Sequence, residues 1–232
     1  MKRIREIKRA ALESIDGHWG WAILPVLICS GISAAISMPM SISSIMSNPL
    51  LNHGALHPSF GSLLLNTGLT TLTALATVFL IYTLSVGMVN CLKLLYRDGD
   101  IKTVPNMFRI SFGEGRYWRN VGAMLLVALF KFLWTLLFVV PGIVKSYAYA
   151  LTPYILDDYP QAGPNEARLL SIRMMRGHKW KLFVMDLSFI GWALLCVLSL
   201  FIGFIWLTPY YRTSRAAFYQ EVLADWNASQ QA

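Results

Sequence analysis

Charge is scarce in this chain. Lys, Arg, Asp and Glu make up 14% of its 232 residues, against about a quarter in an ordinary soluble domain. So bare a composition excludes a water-exposed surface over most of the fold. Cysteine is nearly absent. Cys29, Cys91 and Cys196 each lie in or at the end of an apolar run, and none has metal-ligand spacing. That excludes a disulfide framework and leaves packing as their expected role. Catalytic signatures are also lacking. There is no Gly-rich phosphate loop, no HExxH, no GxSxG, and no carboxylate pair within one apolar segment. No enzyme chemistry, cofactor or metal is therefore expected. Lys and Arg are missing from Trp21–Ile45 and Leu182–Leu207, and each stretch exceeds the roughly 20 residues that cross a hydrocarbon core of about 30 Å.

What is present is apolar sequence, 56% of the residues, in long runs that begin at Trp21, Gly61, Asn120 and Leu182. Basic loops lie between several of them. The formal net charge of +8 sits beside those runs. It reads as membrane topology and anionic headgroups rather than nucleic acid.

Met1–Asp16 has the pattern of an amphipathic interfacial helix. Ile4, Ile7, Ala11, Leu12 and Ile15 form one stripe, Lys2, Arg3, Arg5, Lys8 and Arg9 surround it, and Gly17 is placed to stop it. The next apolar run is too long for a signal-peptide core, so Trp21–Ile45 reads as a retained first span. The expected division is an interfacial helix over 1–17, one transmembrane domain over 18–225, and a polar tail over 226–232.

Basic loops are expected on the inside. The N-terminus, 96–119 and 157–181 qualify; 46–60, with no Lys or Arg, suits the outside. Keeping both later basic loops inside requires the chain to return between Ile143 and Leu156, after the Pro141-Gly142 turn. A second arm after Gly203 loosely echoes the first. The expected fold is all-α, a polytopic bundle of about six helices in three hairpins with both termini inside. The alternative is four long spans, with arms 143–156 and 204–222 lying in the interface. Ser33, Ser37 and Ser41, and the second-span residues Gly68, Thr70, Thr71, Thr73, Ala74, Ala76 and Thr77, read as helix-contact positions. The rival reading for the hydroxyls is a polar pathway.

Charges at membrane depth are costly and mark candidate sites. Lys131, Lys145 and Arg212 are candidates for a cationic pocket that binds an anionic lipid or another anion. Asp186 and Arg215 are a candidate intramembrane ion pair. The competing reading for the cations is snorkelling to the interface. His53 and His57 are four apart, but lack further ligands for a metal. Asp157-Asp158 and Glu166 read as a solvated loop, and 168–181 as an amphipathic helix on the membrane surface.

Three stretches then carry a resemblance: LFKFLWTLLFVVPGIVKSYAYALTPYILDD, EARLLSIRMMRGHKWKLFVMDLSFIGWALL and PYYRTSRAAFYQEVL. With the basic N-terminal helix and GHWGWAIL, they resemble a bacterial integral-membrane family, common in Gram-positive bacteria. It is catalogued only as a domain of unknown function, nine-seven-five in its series. The resemblance implies a multi-pass protein of the bacterial cytoplasmic membrane and supplies no activity or site residue. The family is distantly similar to the membrane domain of some glycerophosphodiester phosphodiesterases, a fold-level analogy only. Three functions are carried forward. The first is a non-enzymatic protein that binds lipid, through anionic headgroups, or a membrane-protein partner. The second is a small transporter or permease component. The third is a membrane enzyme acting on lipid phosphates.

Overall fold

The computed structural model describes residues 2–46, 60–113, 115–137 and 139–231. His53, His57 and most of the expected outside loop fall outside them. The described residues are helical, with no strand among them.

Helix α1 spans Ile4–Ile15. The Glu6 carboxylate accepts the Arg3 N–H at 2.9 Å, closing the first turn. Gly17, at φ 77°, ends the helix in the left-handed conformation. Ile7, Ala11 and Ile15 are buried. Helix α2 spans Trp19–Met46. Helix α3, Phe60–Ala76, runs through a π-helical turn, Thr77–Ile81, into α4, Tyr82–Asp98. The wide turn frees the Phe79 carbonyl, which accepts hydrogen bonds from the Tyr117 and Thr83 hydroxyls. Gly99, at φ 67°, caps α4 and starts a tight reversal into α5, Thr103–Phe112.

Helix α5 runs back along α4. A Cβ on Gly87 would stand 2.3 Å from the Met107 carbonyl oxygen and 2.1 Å from Ser111 Oγ, so only glycine permits this approach. The loop expected over 96–119 therefore holds a packed helix. The Thr103 hydroxyl donates to the Trp21 carbonyl at 2.7 Å, and Asn120 Nδ2 donates to the Ile110 carbonyl at 3.0 Å.

Helix α6, Arg116–Leu137, reverses into α7, Val139–Ala148, and then α8, Thr152–Asp158. After α9, Pro164–Met174, and α10, Lys179–Leu198, helix α11 runs from Phe204 to Gln231. The residues expected to form a polar tail are thus mostly its last turns. Each return arm packs on its own span, α7 on α6 and α11 on α10. The two reversals share a device. A Cβ on Gly142 would come within 2.9 Å of Thr135 Cα, and one on Gly203 within 3.2 Å of Cys196 Cα. In both turns the glycine meets the residue seven positions back. The tetrapeptide Leu-Thr-Pro-Tyr then follows in each arm, at 151–154 and 207–210. The loose echo extends to this glycine contact and the tetrapeptide, whereas the arms differ: the first breaks between α7 and α8, and the second is one helix, α11.

Four helical segments are long and apolar enough to cross a membrane: Trp19–Met38, Leu64–Asp98, Arg116–Leu137 and Lys179–Leu198. Only 17% to 38% of their apolar windows is buried inside the protein, which leaves most of that apolar surface uncovered by protein. Burial is concentrated instead where the basic segments meet. There Ile7, Leu92, Leu95, Ile155, Leu156, Phe218 and Val222 form part of one core. This basic end joins all three hairpins.

Helices α1 and α9 turn their apolar faces onto that core rather than outward. Helix α1 packs on α11 and α4, with the Lys2 ammonium 3.0 Å from Glu221. Lys8 Nζ donates to Ser188 Oγ at 3.2 Å and lies 4.0 Å above the Phe189 ring. Ser171 of α9 donates to the Ala148 carbonyl and accepts the Leu151 N–H, fastening the break between α7 and α8. Ala167, Ser171 and Met174 form this buried face of α9 with Arg168.

Candidate functional site

Two polar assemblies stand in the fold. The first is a clasp at the basic end. Lys93 of α4 is fully buried, and its ammonium lies 2.9 Å from Asp157 and 2.5 Å from Asp158. The Tyr219 hydroxyl donates to the second Asp158 oxygen at 2.6 Å. Arg116 reaches Asp157 at 3.2 Å. Tyr154 stacks on Tyr219, with ring centroids 4.8 Å apart and an angle of 12°. Asn90, one turn before Lys93, donates to the Pro153 carbonyl at 2.7 Å. Each hairpin contributes through its return arm: Lys93 from the first, the two aspartates from the second, Tyr219 from the third. Arg119 donates to the Leu156 carbonyl at 2.6 Å and to the Pro160 carbonyl, holding the end of α8. The expectation of a solvated Asp157-Asp158 pair is corrected, since both side chains are at least 85% covered.

Sequence reasoning passed over Lys93. Its signal was available: one cation inside Met-Val-Asn-Cys-Leu-Lys-Leu-Leu-Tyr, the same criterion that singled out Lys131. Tyr219 gave no comparable signal, because an aromatic residue in an apolar helix is ordinary.

The second assembly lies deeper, between the second and third hairpins. The Tyr211 hydroxyl donates to Asp186 Oδ1 at 3.2 Å and accepts from Arg215 at 3.1 Å. Asp186 and Arg215 are thus linked through a tyrosine. Arg215 and Tyr211 sit one helical turn apart on α11. Tyr147 of α7 lies beside the same carboxylate. Lys131 feels the charge of Arg215, and its ammonium has no hydrogen bond or ion pair among the described residues.

The three cations expected to share a pocket have different neighbours. Lys131 lies within electrostatic reach of Arg215. Lys145 lies 4.5 Å above the Trp134 ring, and Arg212 lies within electrostatic reach of Cys29 in α2. Arg168 is nearly buried, 4.1 Å from the centre of the Phe130 ring, and bonded to Asn165. In the second span, the Thr70 and Thr71 hydroxyls donate to carbonyls one turn back in their own helix. Both residues are exposed. Outside the spans, the Lys102 N–H and the Asn106 amide hold the Asp100 carboxyl below its usual range. Asp100 thereby ties the start of α5 to the reversal.

Residues 136–225 match the family model described as "Protein of unknown function (DUF975)". The matched segment contains α7 to α10 and most of α11, hence both aspartates of the clasp, Tyr219, and the Asp186–Tyr211–Arg215 relay. No curated protein and no solved structure matches the chain.

Proposed function

We propose that this membrane protein is non-enzymatic and holds an anionic lipid headgroup between its second and third hairpins. One observation carries the reading: Lys131, within an apolar span, lies in electrostatic reach of Arg215, which Tyr211 links to Asp186, and among the described residues the Lys131 ammonium has no hydrogen bond or ion pair. Unpaired charge in a low-dielectric setting is costly. A lipid phosphate supplies one negative charge and several acceptor oxygens. The largely uncovered spans give such a lipid lateral access. In this reading the protein sits in a bacterial cytoplasmic membrane with both termini inside, and the basic residues of α1 and of the 157–181 segment face anionic headgroups. Its partners are lipids and, through the same surface, a membrane protein; nucleic acid is not one of them.

Mass spectrometry of lipids retained after detergent extraction tests the proposal. Wild type is expected to retain an anionic phospholipid. Lys131→Ala, with unchanged unfolding temperature, is expected to lose most of it, and Lys145→Ala to keep it. Equal anionic lipid in wild type and Lys131→Ala sinks the assignment.

A further inference from the structure

A column of aromatic rings stands where α5 meets two of the spans. Phe79, in the π-helical turn, meets Trp118 of α6 edge to face, with centroids 6.2 Å apart. Trp118 meets Tyr117 at 5.3 Å, Tyr117 stacks on Phe112 at 5.8 Å, and Phe112 stacks on Phe108 at 6.2 Å. The Tyr117 hydroxyl donates to the Phe79 carbonyl, which ties the column to the turn. The inner face of α5 packs on its neighbours through Met107, Ile110 and Ser111, all buried. Its outer face is open: Phe108, Phe112 and Trp118 are 41%, 40% and 71% exposed. A contiguous exposed apolar patch marks a protein–protein or membrane contact.

We propose that this outer face of α5, with Trp118, is the surface on which the protein meets the anionic headgroup layer of the leaflet at its basic end. Continuity favours lipid as the cover, because Phe79 and Trp118 belong to segments long and apolar enough to cross a membrane. Length agrees. The rise from Phe60 to Phe79, and equally from Trp118 to Leu137, is about 28 Å, against a hydrocarbon core of about 30 Å. Beyond the column, α4 is covered by other helices over most of Thr83 to Leu95. Charge agrees as well. The described residues of 101–119 include Lys102, Arg109, Arg116 and Arg119, and no Asp or Glu. Indole and phenol rings settle at the boundary between headgroups and acyl chains. Arg109, exposed beside Phe108, is placed to reach lipid phosphates. The surface is separate from Lys131 and does not depend on a lipid bound there.

The test places the full chain in nanodiscs of phosphatidylglycerol, with the fluorophore NBD on one introduced cysteine at a time. The positions are Phe108→Cys, Phe112→Cys and, as a control at the exposed end of α11, Gln230→Cys. Labelled wild type sets the background, since its own cysteines are buried or half-buried, and unfolding temperatures check that each variant is folded. A phospholipid with a doxyl group near the top of its acyl chain is expected to quench most of the emission at 108 and 112 and little at 230. Aqueous iodide is expected to do the reverse. In phosphatidylcholine nanodiscs, lipid quenching at 108 is expected to fall, because the flanking cations lose their partners. Iodide quenching at 112 as strong as at 230 overturns the surface, since α5 then faces water. Protection of 112 from both quenchers also overturns it and points to a second protein chain on this face. Equal lipid quenching at 108 in the two kinds of nanodisc overturns anionic headgroups as the partner.

Discussion

Lys93→Met is expected to cause a large loss of stability at the basic end. The methionine fills most of the space but removes the charge between Asp157 and Asp158. Two largely covered carboxylates are then left with Arg116 at 3.2 Å from one of them and Arg97 at 3.9 Å from the other. Breaking a buried pair by removing one partner costs about 3–5 kcal/mol. The partial exposure of both aspartates and the remaining arginines place this case toward the lower end. Because the clasp joins three hairpins, the loss should appear as one cooperative shift in unfolding temperature. Adding Asp158→Asn should recover part of it, since the amide oxygen can still accept from Tyr219 without a charge to bury. Thermal unfolding in a single detergent checks both. An unchanged midpoint for Lys93→Met would show that the clasp holds nothing together.

Gly87→Ala is expected to cost about 1–3 kcal/mol, as overpacking of a filled core does. Ser111 Oγ, 2.1 Å from the added carbon, turns away by rotation. The Met107 carbonyl oxygen at 2.3 Å is backbone, so α4 and α5 must separate. The control is Gly191→Ala in α10, where an added Cβ meets nothing within 4 Å. Helix propensity there favours alanine by up to about 1 kcal/mol. The two substitutions should move the unfolding temperature in opposite directions. Equal shifts would remove the close crossing as an element of stability.

The contrast between these sites shows what the sequence disclosed. Apolar runs implied helices, and the structure has them; Pro141 and Gly142, expected as a turn, lie instead within the first turn of α7. The stripe of α1 and its Gly17 stop were legible from spacing alone. What covers that stripe was not. Periodicity reports that a face is buried without naming its neighbour, and here the neighbour is α11, some two hundred residues away. Helix α5 was concealed by its short length and by Lys102, Pro105 and Arg109, which make it look like a loop. The clasp was concealed differently. Lys93 and Asp157 are separated by 64 positions, and no local pattern joins them. For the deeper cations, the apolar setting was legible, whereas the neighbours were not. Lys145 lies over the Trp134 ring, while Lys131 is in electrostatic reach of Arg215 and Arg212 in that of Cys29.

Keying the hairpins at one end has a mechanical consequence. The 35-residue segment Leu64–Asp98 is about 52 Å long by helix rise, against a hydrocarbon core of about 30 Å. Tilt accommodates such excess length, at fractions of a kcal/mol per Å of mismatch. The clasp and the Gly87 crossing fix the helix directions where they meet, so a thinner or thicker bilayer must be absorbed at the opposite leaflet. The splay of the hairpins there is then expected to follow bilayer thickness.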